Sequence, residues 1–407
     1  MVRNLQNAVL IVPADNFIAL TIARSLGRRG VRVVCLGSSN GLAQHSRFCS
    51  ESRPLPSDKD LLASIVLDLT LSQHISHIMA TTDASMQRLN QHRETLSQHA
   101  ILLFPEAQKC ELALHKDKTL GIAANLNIPI PKTLIIRNLS DVANAAGLEF
   151  PVVLKPRHQD VSKPASDGLP FKIRYSATYE DLITQLEPFR QTGDYPLIQE
   201  YCGGHGVGVE VLMHAGQPIL MFQHERVREF PVSGGVSTCC KSVALDSQLQ
   251  DWSVGLLRAM EWEGVAMVEF RKDNQTGRVV LMEVNGRFWG SLPLAVQAGC
   301  DFPYELYRTS LPGYCWAEPK TYTVGRQSRL LVAETKWLIQ SIRGPRWRQA
   351  ILEYFAAFRP SMKYYVWCWD DPLPAIWAFL NRIRRSFGKI SQRLLGRHGR
   401  LGDVLTG

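Results

Sequence analysis

The sequence predicts an α/β (α+β) protein that begins with a doubly wound parallel sheet. Three observations favour this fold class. Short apolar strands alternate with helical patterns in the N-terminal quarter, strand-rich sequence follows from Gly203, and 45% of the 407 residues are hydrophobic while 20% are charged. That composition is typical of a globular protein and excludes disordered, collagen-like and disulfide-stapled chains. At about 100 to 200 residues per domain, the length predicts two to four domains.

The first unit reads as strand, turn, helix and strand. An apolar run at 9–12, a helical pattern after it and a second apolar run at 31–36 predict the start of the parallel sheet. Two further short strands are predicted at 77–81 and 101–104, and the unit ends near residue 107. The first turn, PADN, lacks the G-x-G-x-x-G pattern, so the sequence does not support dinucleotide binding there.

The middle of the chain predicts a second unit of helices and strands. A helix in HKDKTLGIAANLNIPIPKT leads into a strand, and FPVVLKP is a further buried strand. The polar loop after it, RHQDVSKPASDGLP, has the length and composition of a lid. A strand in FKIRY, a helix near 179–189 and the strand PLIQEY complete this unit.

The following region is strand-rich, and its most informative stretch is 264–290. Two strands, GVAMVEF and RVVLMEV, are joined by the turn DNQTG and are predicted to pair. Because side chains alternate along a strand, Glu283, Asn285 and Arg287 project to one side, and pairing brings Glu269 beside them. Carboxylate and amide oxygens suit Mg²⁺, which takes one or two carboxylates together with water and phosphate oxygens. A solvated sheet face is the alternative interpretation.

Two lysines precede this stretch. Lys118 lies in the helix of the second unit, and Lys155 ends a buried apolar strand, where a lone ammonium is costly unless it meets an anion. The loop after Lys155 carries Ser162, Ser166 and Gly168, whose backbone N–H groups suit a phosphate. Taken singly, each lysine is better explained as a surface or strand-end residue. The order of the motifs along the chain is what favours a phosphate site.

That order resembles the ATP-grasp superfamily, in the branch of biotin carboxylase and carbamoyl phosphate synthetase, and most of all its carboligase-like and carboxylate–amine ligase members. The resemblance covers roughly residues 5–312, through DKTLGIAANLNIPIPKT, FPVVLKP, LIQEY and GVAMVEF…LMEVNGRFWGSLPLAVQAGCDFP. It implies a pre-ATP-grasp domain with a doubly wound parallel sheet, a two-lobed ATP-grasp domain and a helical basic C-terminal appendage. The implied ranges are 1–107 for the pre-ATP-grasp domain, 108–198 for the small lobe with the lid, 199–315 for the large lobe with the metal site, and 316–407 for the tail.

The same resemblance implies a role for each matching residue. Arg287 would bind the γ-phosphate or the acyl phosphate as it forms. ATP would be held by phosphate-binding lysines, an adenine hinge and a ribose-binding acid: Lys118, Lys155, Gln199, Glu200, Tyr201, Cys202 and Glu210. Mg²⁺, or Mn²⁺ in its place, would take three ligands: Glu269, Glu283 and Asn285. The lid departs from the family pattern, because it carries Lys163, Pro164 and Asp167 in place of a glycine-rich run.

On this basis the sequence predicts an ATP-dependent enzyme that activates a carboxylate as an acyl phosphate and joins it to an amine, releasing ADP and phosphate. Lysines, arginine and a divalent ion neutralise the anions that meet in such a reaction, and a lid excludes water from the acyl phosphate. Two alternatives stay open. Bicarbonate takes the place of the acid and gives carboxyphosphate, or the chain is a nucleotide-binding, membrane-associated scaffold with little catalysis. The acidic residues assigned to the metal, Glu269 and Glu283, argue against the scaffold alternative, because a scaffold does not need them.

The segment HERVREFPVSGGVST supplies the predicted acceptor side of the site. Arg226 and Arg228 are two residues apart and so share a strand face, and the turn at 233–235 permits close approach of the backbone to a ligand. We favour Arg226 as the carboxylate anchor and as a catalytic residue together with Arg287 and Lys155. Two solvated arginines on an edge strand are the alternative.

The net charge of +9 is concentrated at the C-terminus, since the residues from Leu331 onward contain thirteen lysines and arginines but five acids. The stretch 371–400 has an apolar stripe at helical spacing, with basic residues on its other faces. It is predicted either to lie on an anionic membrane surface or to pack on the body of the protein or on a second copy in a homodimer. Nucleic acid is not an expected partner, because the aromatic residues lie in the apolar stripe.

The nine cysteines follow no metal-binding spacing, and no apolar run reaches the roughly 18 residues that span a bilayer. We therefore expect a reduced, cytoplasmic protein that acts on small-molecule carboxylates and amines, with the inner face of the membrane as an alternative peripheral location. The neighbouring Cys239 and Cys240 are expected to be small core or edge residues and not a redox centre.

Overall fold

The computed structural model describes residues 7–157, 173–232, 235–315 and 321–384. The predicted lid beyond Arg157, Ser233 and Gly234 of the acceptor-side turn, and the tail beyond residue 384 lie outside these ranges. Within them the chain forms three sheets with helices packed on their faces.

The first unit is a parallel sheet with helices on both faces, as predicted. It contains the following elements: β1 Ala8–Val12, α1 Phe17–Gly27, β2 Arg32–Gly37, β3 Glu51–Pro54, α2 Leu62–Ser72, β4 Ile75–Ala80, α3 Asp83–Asn90, α4 Arg93–Ser97 and β5 Ile101–Leu102. The strand order is β3-β2-β1-β4-β5, and every pairing is parallel. Helix α1 begins at a side-chain cap, because Asn16 accepts hydrogen bonds of 3.0 Å from the N–H groups of Ile18 and Ala19.

A pair of short helices leads from the first unit into an antiparallel sheet. The elements are α5 Ala107–Leu114, α6 Lys116–Asn125, β6 Thr133–Ile135, β7 Val152–Lys155, β8 Arg174–Ser176, α7 Tyr179–Leu186 and β9 Leu197–Glu200. The order β6-β9-β7-β8 makes β7 and β9 neighbours, with Val153 opposite Gln199 and Lys155 opposite Leu197. This pairing brings the end of β7 within reach of Gln199.

The third sheet is the largest and carries most of the predicted site. Its elements are β10 His205–His214, β11 Gln217–Phe230, β12 Val236–Ser242, α8 Ser247–Ala259, β13 Gly264–Lys272, β14 Val279–Asn285, α9 Leu292–Ala298, α10 Phe302–Thr309, β15 Gln327–Arg329, α11 Leu331–Ser341, α12 Trp347–Ala356 and β16 Lys363–Tyr364. The order is β14-β13-β10-β11-β12-β15-β16. The predicted pairing across DNQTG is confirmed, since β13 and β14 are antiparallel and Glu269 lies opposite Glu283.

One hydrophobic core joins the first unit to the third sheet. Val9 and Ile11 of β1 belong to the same buried cluster as Phe222 of β11 and Trp289 and Leu292 near the start of α9. Cys240 is part of this cluster and Cys239 of another, and both are fully buried, as expected for small core residues. Through this shared core, β1 and α1 of the first unit pack with β11 and α9.

The C-terminal segment is more closely integrated than a separate helical tail. Strands β15 and β16 lie within 316–407 but extend the third sheet. Residues 373–384 are helical, and Trp377 stacks on His45 of the first unit with a ring-centroid distance of 4.1 Å. In the described ranges no helix is both long enough and apolar enough to cross a bilayer.

Asp371 anchors this segment on the first unit. Its buried carboxylate accepts hydrogen bonds from Arg24 Nε at 2.9 Å, Ser46 Oγ at 2.6 Å and the Arg47 N–H at 2.9 Å. The neighbouring Asp370 pairs with Arg28, also at 2.9 Å, but its side chain is 47% exposed. Adjacent residues therefore make one buried and one exposed ion pair.

We expect Asp371→Ala to destabilise the first unit by about 3 kcal/mol, because the variant leaves Arg24 buried without its partner. Asp370→Ala is the matched control and should cost less than about 1 kcal/mol, since the Arg28 pair is exposed to solvent. The midpoint of guanidinium denaturation, followed by circular dichroism, measures both. Equal losses in the two variants would show that the Asp371 contacts do not anchor the segment.

Candidate active site

A cleft of about 390 Å³ is lined by side chains from the first unit and from both antiparallel sheets. Phe17 comes from the start of α1, Lys155 from the end of β7, and Glu269 and Glu283 from the third sheet. Ile173, the first described residue after the predicted lid, lies at its edge. Most of the residues that were predicted to form the site therefore border this cleft, but three do not: Lys118, Gln199 and Glu210.

A row of paired residues crosses the third sheet at the floor of the cleft. Glu283 lies opposite Glu269, Glu269 opposite Gly208, and Gly208 opposite His224. A Cβ on Gly208 would stand 2.4 Å from Cε1 of His224, and one on Gly206 would stand 2.6 Å from Cδ of Arg226. These two glycines leave room for the side chains of β11 to lie across β10. In this way Arg226 reaches the carboxylate of Glu269 on the far side of β10.

Each of the two carboxylates contacts a cation from another element. Glu269 accepts a hydrogen bond from Arg226 at 2.5 Å, and Glu283 pairs with the ammonium of Lys116, the first residue of α6. Burial opposes ionisation of Glu283, but Lys116 and Lys155 together hold the pKa of that carboxyl well below its ordinary value. Glu283 is therefore ionised at neutral pH in spite of its burial.

Lys155 stands over this pair of acids from the second sheet. Its Nζ donates a hydrogen bond of 2.7 Å to Oε1 of Gln199, whose Nε2 donates to Thr133 Oγ1 at 2.9 Å. Burial lowers the pKa of Lys155 to about 8, and Lys116 adds to this effect, against the opposing influence of Glu283 and Glu269. Gln199 is 1% exposed and does not line the cleft, so its contribution is to orient Lys155.

The residues that follow β9 form the other end of the cleft. Glu200, Tyr201 and Cys202 line it together with Tyr175, whose ring meets that of Tyr201 edge to face at 6.0 Å. The Glu200 carboxylate is turned to Arg278 at 2.6 Å and to the Lys132 N–H at 3.0 Å. The aromatic rings of Tyr175 and Tyr201 give this end apolar surface, which suits a planar heterocycle.

Glu210 does not occupy the position that the sequence predicts for it. It is fully buried, its Oε1 lies 2.5 Å from Nδ1 of His224 and accepts a hydrogen bond of 3.2 Å from Ser291 Oγ. Burial opposes a charged imidazole, but Glu210 and Cys240 raise the pKa of His224 to about 10. Glu210 thus binds His224 and Ser291 on the side of these residues away from the cleft. His224 and Ser291 line the cleft, and Glu210 does not. This geometry therefore does not support the ribose-binding role assigned to Glu210, which stays a prediction.

Lys118 also lies elsewhere than predicted. Its side chain is exposed and does not line the cleft, whereas Lys116, two residues earlier, contacts Glu283 there. Residues two apart on an α-helix are about 200° apart around its axis, so only one of the two lysines can face the site. Lys116 takes the place that the sequence analysis gave to Lys118.

The two arginines of β11 diverge, contrary to the expectation that they share a face. Register shifts around Val227 and Arg228 turn Arg226 into the cleft and Arg228 away from it. Arg228 instead makes two hydrogen bonds, of 2.9 and 2.7 Å, to the buried carboxylate of Glu334 in α11. Of the two, Arg226 lines the cleft and Arg228 does not.

The donor set fits a hard divalent cation that also binds phosphate. Among the described residues no group of three or more His, Cys, Asp or Glu side chains converges as a metal cage. The cleft instead offers the carboxylates of Glu269 and Glu283, with Asn285 donating a hydrogen bond of 3.2 Å to Glu283. Two carboxylates and an amide oxygen are a sparse set that suits Mg²⁺, whose remaining positions are taken by water and phosphate oxygens.

Sequence reasoning did not identify Lys116 or His224. The pattern G-V-G on β10, with glycines two apart inside a strand, was the available signal, because it indicates that something lies across that face. Nothing in the sequence alone assigns the covering side chain to His224 on the next strand. Lys116 carried no signal that separated it from Lys118.

Comparison with known proteins supports the architecture. A model of the family described as ATP-grasp in the biosynthetic pathway with Ter operon matches residues 194–335. D-alanine–D-alanine ligase of Acidiphilium cryptum (strain JF-5) is 24% identical over 204 residues, which are 47% of this chain and 64% of that ligase. The match therefore spans less than two thirds of the ligase.

Solved structures share the fold at low sequence identity. Biotin carboxylase of Campylobacter jejuni has a TM-score of 0.62 at 16% identity, covering 79% of this chain and 74% of that chain. N5-carboxyaminoimidazole synthetase of Staphylococcus aureus has a TM-score of 0.62 at 13% identity, covering 84% and 87%. L-amino acid ligase of Bacillus licheniformis has a TM-score of 0.55 at 17% identity, covering 75% and 74%.

The two lysines of α6 give a direct test of the site. We expect Lys116→Ala to weaken binding of Mg·ADP by about tenfold or more, because a charged hydrogen bond to a phosphate is worth about 1.5–3 kcal/mol. Lys118→Ala, the matched control, should change the affinity by less than about twofold, because that side chain lies on the surface. Isothermal titration calorimetry measures both. A larger loss in Lys118→Ala would reverse our assignment.

Proposed function

We propose, from the premise that this chain is a member of the ATP-grasp superfamily, that it is an ATP-dependent ligase which activates a carboxylate as an acyl phosphate and joins it to an amine, releasing ADP and phosphate. One observation carries the proposal. Glu269 and Glu283 are directly opposite each other in a cleft that also holds Lys155, Lys116 and Arg226. Paired carboxylates surrounded by cations suit a nucleotide that arrives with a divalent ion.

In this proposal the nucleotide binds at one end of the cleft and the acceptor substrates bind at the other. In this proposal adenine lies beside Glu200, Tyr201 and Cys202, and Lys116 and Lys155 hold the phosphates. Met282, next to Glu283 on β14, lines the nucleotide end as an apolar neighbour. The acceptor side lies beyond the acids, where the cleft is bordered by residues of α1, β11, β12 and the start of α9: Phe17, His224, Arg226, Ser237, Trp289 and Ser291.

The charges of the cleft suit the first half-reaction. A carboxylate oxygen attacks the γ-phosphorus and ADP leaves, so anions approach each other and their repulsion must be offset. Lys116, Lys155 and Arg287 neutralise the phosphates, and Arg226 orients the attacking carboxylate. A magnesium ion held by Glu269, Glu283 and Asn285 supplies further positive charge at the phosphates.

The second half-reaction needs an amine and a dry site. The amine attacks the acyl carbon, phosphate leaves, and the amine nitrogen loses a proton. An acyl phosphate is hydrolysed readily, so the site must exclude water while the amine enters. Phe17, Val236 and Trp289 border the acceptor side with apolar surface. The acceptor side thus combines apolar with polar and charged side chains, which is compatible with small organic acids and amines.

We expect ADP release from ATP and Mg²⁺ to require an organic acid and an amine together. Glu283→Gln should lower that release by about 100-fold or more, because it removes a carboxylate ligand of the metal ion that would offset the charge of the phosphates in the transition state. Glu261→Gln, whose side chain is 82% exposed, is the matched control and should retain activity. Mixed pools of acids and amines, followed by mass measurement of the product, identify the substrates.

Three outcomes of this assay separate the alternatives. ADP release with bicarbonate and no organic acid would favour a carboxyphosphate-forming enzyme. Nucleotide binding without ADP release in any pool would favour a scaffold. Full activity of Glu283→Gln would contradict the assignment of the metal site.

We also propose that the helical segment 373–384 docks on an anionic bilayer. Trp377 faces the first unit, while apolar side chains elsewhere on the segment are exposed. Their exposed fractions are 58% for Leu373, 43% for Ile376, 65% for Phe379, 57% for Leu380 and 38% for Ile383. The sequence that follows is basic, with Arg385, Lys389, Arg393, Arg397 and Arg400. An apolar ridge followed by cations is typical of segments that lie in a negatively charged membrane interface.

We expect Phe379→Ser/Leu380→Ser to lower binding to phosphatidylglycerol vesicles by about tenfold, because it removes two of the most exposed apolar side chains of the ridge. Leu352→Ser, 71% exposed on α12, is the matched control. Vesicle sedimentation at low and high salt, with phosphatidylcholine for comparison, measures the effect. Unchanged vesicle binding combined with a loss of dimer in sedimentation velocity would assign the ridge to a second copy of this chain.

A further inference from the structure

Arg287 is held from one side by the first unit. It follows the end of β14, and its Nε donates a hydrogen bond of 2.7 Å to Oδ2 of Asp83. One terminal nitrogen, NH1, donates to the carbonyl of Phe288 at 3.0 Å. The other terminal nitrogen has no hydrogen-bond partner in the part of the chain that the structure describes, and the residue borders the cleft. The guanidinium is therefore fixed at two nitrogens and open at the third.

Hydrogen bonds fix the position of Asp83 relative to the parallel sheet. It is the first residue of α3, which begins at a reciprocal cap between Thr82 and Ser85. The hydroxyl of Ser85 reaches the carbonyl of Val12 at the end of β1, at 3.3 Å, and Thr81 Oγ1 donates to the carbonyl of Pro13 at 2.8 Å. The start of α3 is thus tied to the edge of the first sheet that faces the cleft.

We propose that Asp83 is a positioning residue, which orients Arg287 so that its open terminal nitrogen meets the γ-phosphate of the nucleotide and the acyl phosphate formed from it. The inference rests on the proposed function. It makes the first unit a contributor to phosphoryl transfer, although no residue of that unit belongs to the sets of ligands and cations described above. A charge-assisted hydrogen bond at Nε fixes the plane of the guanidinium, and a fixed plane aims the remaining donors.

The geometry explains why the partner is an acid on a rigid element. Asp83 and Arg287 are each partly buried, with side chains 14% and 23% exposed, so the ion pair is shielded from much of the solvent. A small cavity beside the pair is bordered by Asp83, Lys116, Glu283 and Asn285, so Asp83 shares a border with the residues assigned to phosphate and metal. Among the residues that the structure describes, Asp83 is the one side-chain acceptor of Arg287, and loss of its carboxylate removes that acceptor.

The test compares two nucleotides that differ at the γ position. Mg·AMPPNP carries a γ-phosphate and Mg·ADP does not, so a residue that acts through Arg287 must affect the first alone. We expect Asp83→Ala to weaken Mg·AMPPNP by about tenfold and Mg·ADP by less than twofold in isothermal titration calorimetry. Asp83→Asn retains an oxygen that accepts from Nε and should lose less than threefold. Glu94→Ala, in the first turn of α4, is the matched acidic control for helix stability.

A double-mutant cycle separates positioning from a merely structural role. Arg287→Ala should weaken Mg·AMPPNP at least as much as Asp83→Ala, and adding Asp83→Ala to it should cause no further loss. Additive losses, or equal losses for both nucleotides, would overturn the inference while leaving the nucleotide site intact. Failure of the wild-type protein to bind either nucleotide would refute the proposed function and this inference with it.

Discussion

The pairing of Glu269 with Glu283 across β13 and β14 sets the charge balance on which the cleft depends. Two carboxylates at neighbouring positions of a sheet repel each other unless cations lie close to them. Those cations come from elsewhere: Lys116 from the start of α6, Lys155 from the end of β7 and Arg226 from β11. Attraction between the two acids and these cations therefore holds α6 and the second sheet against the third sheet.

Two glycines on β10, which have no side chains, leave room for these residues. Gly206 and Gly208 leave the face of β10 clear, so that Arg226 reaches Glu269 and His224 lies above Glu210. The core shared by β1 and the start of α9 holds the first unit close enough for Asp83 to contact Arg287. Small residues and a common core thus place side chains that are far apart in the sequence around one space.

Much of the fold could be predicted because the local periodicity of apolar residues indicates the strands and helices. Alternating apolar runs gave the parallel sheet, and two strands flanking DNQTG gave the pairing of the acids. The choice between Lys116 and Lys118 could not be predicted, because the rotational phase of α6 is fixed by packing and not by the two lysines. The divergence of Arg226 and Arg228 arises from register shifts that depend on β12, which no local pattern reveals.

Glu210 shows a different limit of sequence reasoning. Strand alternation correctly puts it on the same face as Gly206 and Gly208, but burial at that point is decided by neighbours outside the strand. His224 of the next strand and the more distant Ser291 cover it. The position of a residue can therefore be predicted where its environment is local, as for the pairing of Glu269 with Glu283, and not where other strands determine it.

A crystal structure with Mg²⁺ and AMPPNP tests the central claim most directly. We expect the triphosphate to lie between Lys155 and the two strands that carry the acids, with Mg²⁺ about 2.1 Å from oxygens of both Glu269 and Glu283. Nucleotide bound outside this cleft, or a metal ion coordinated by neither carboxylate, would contradict the account.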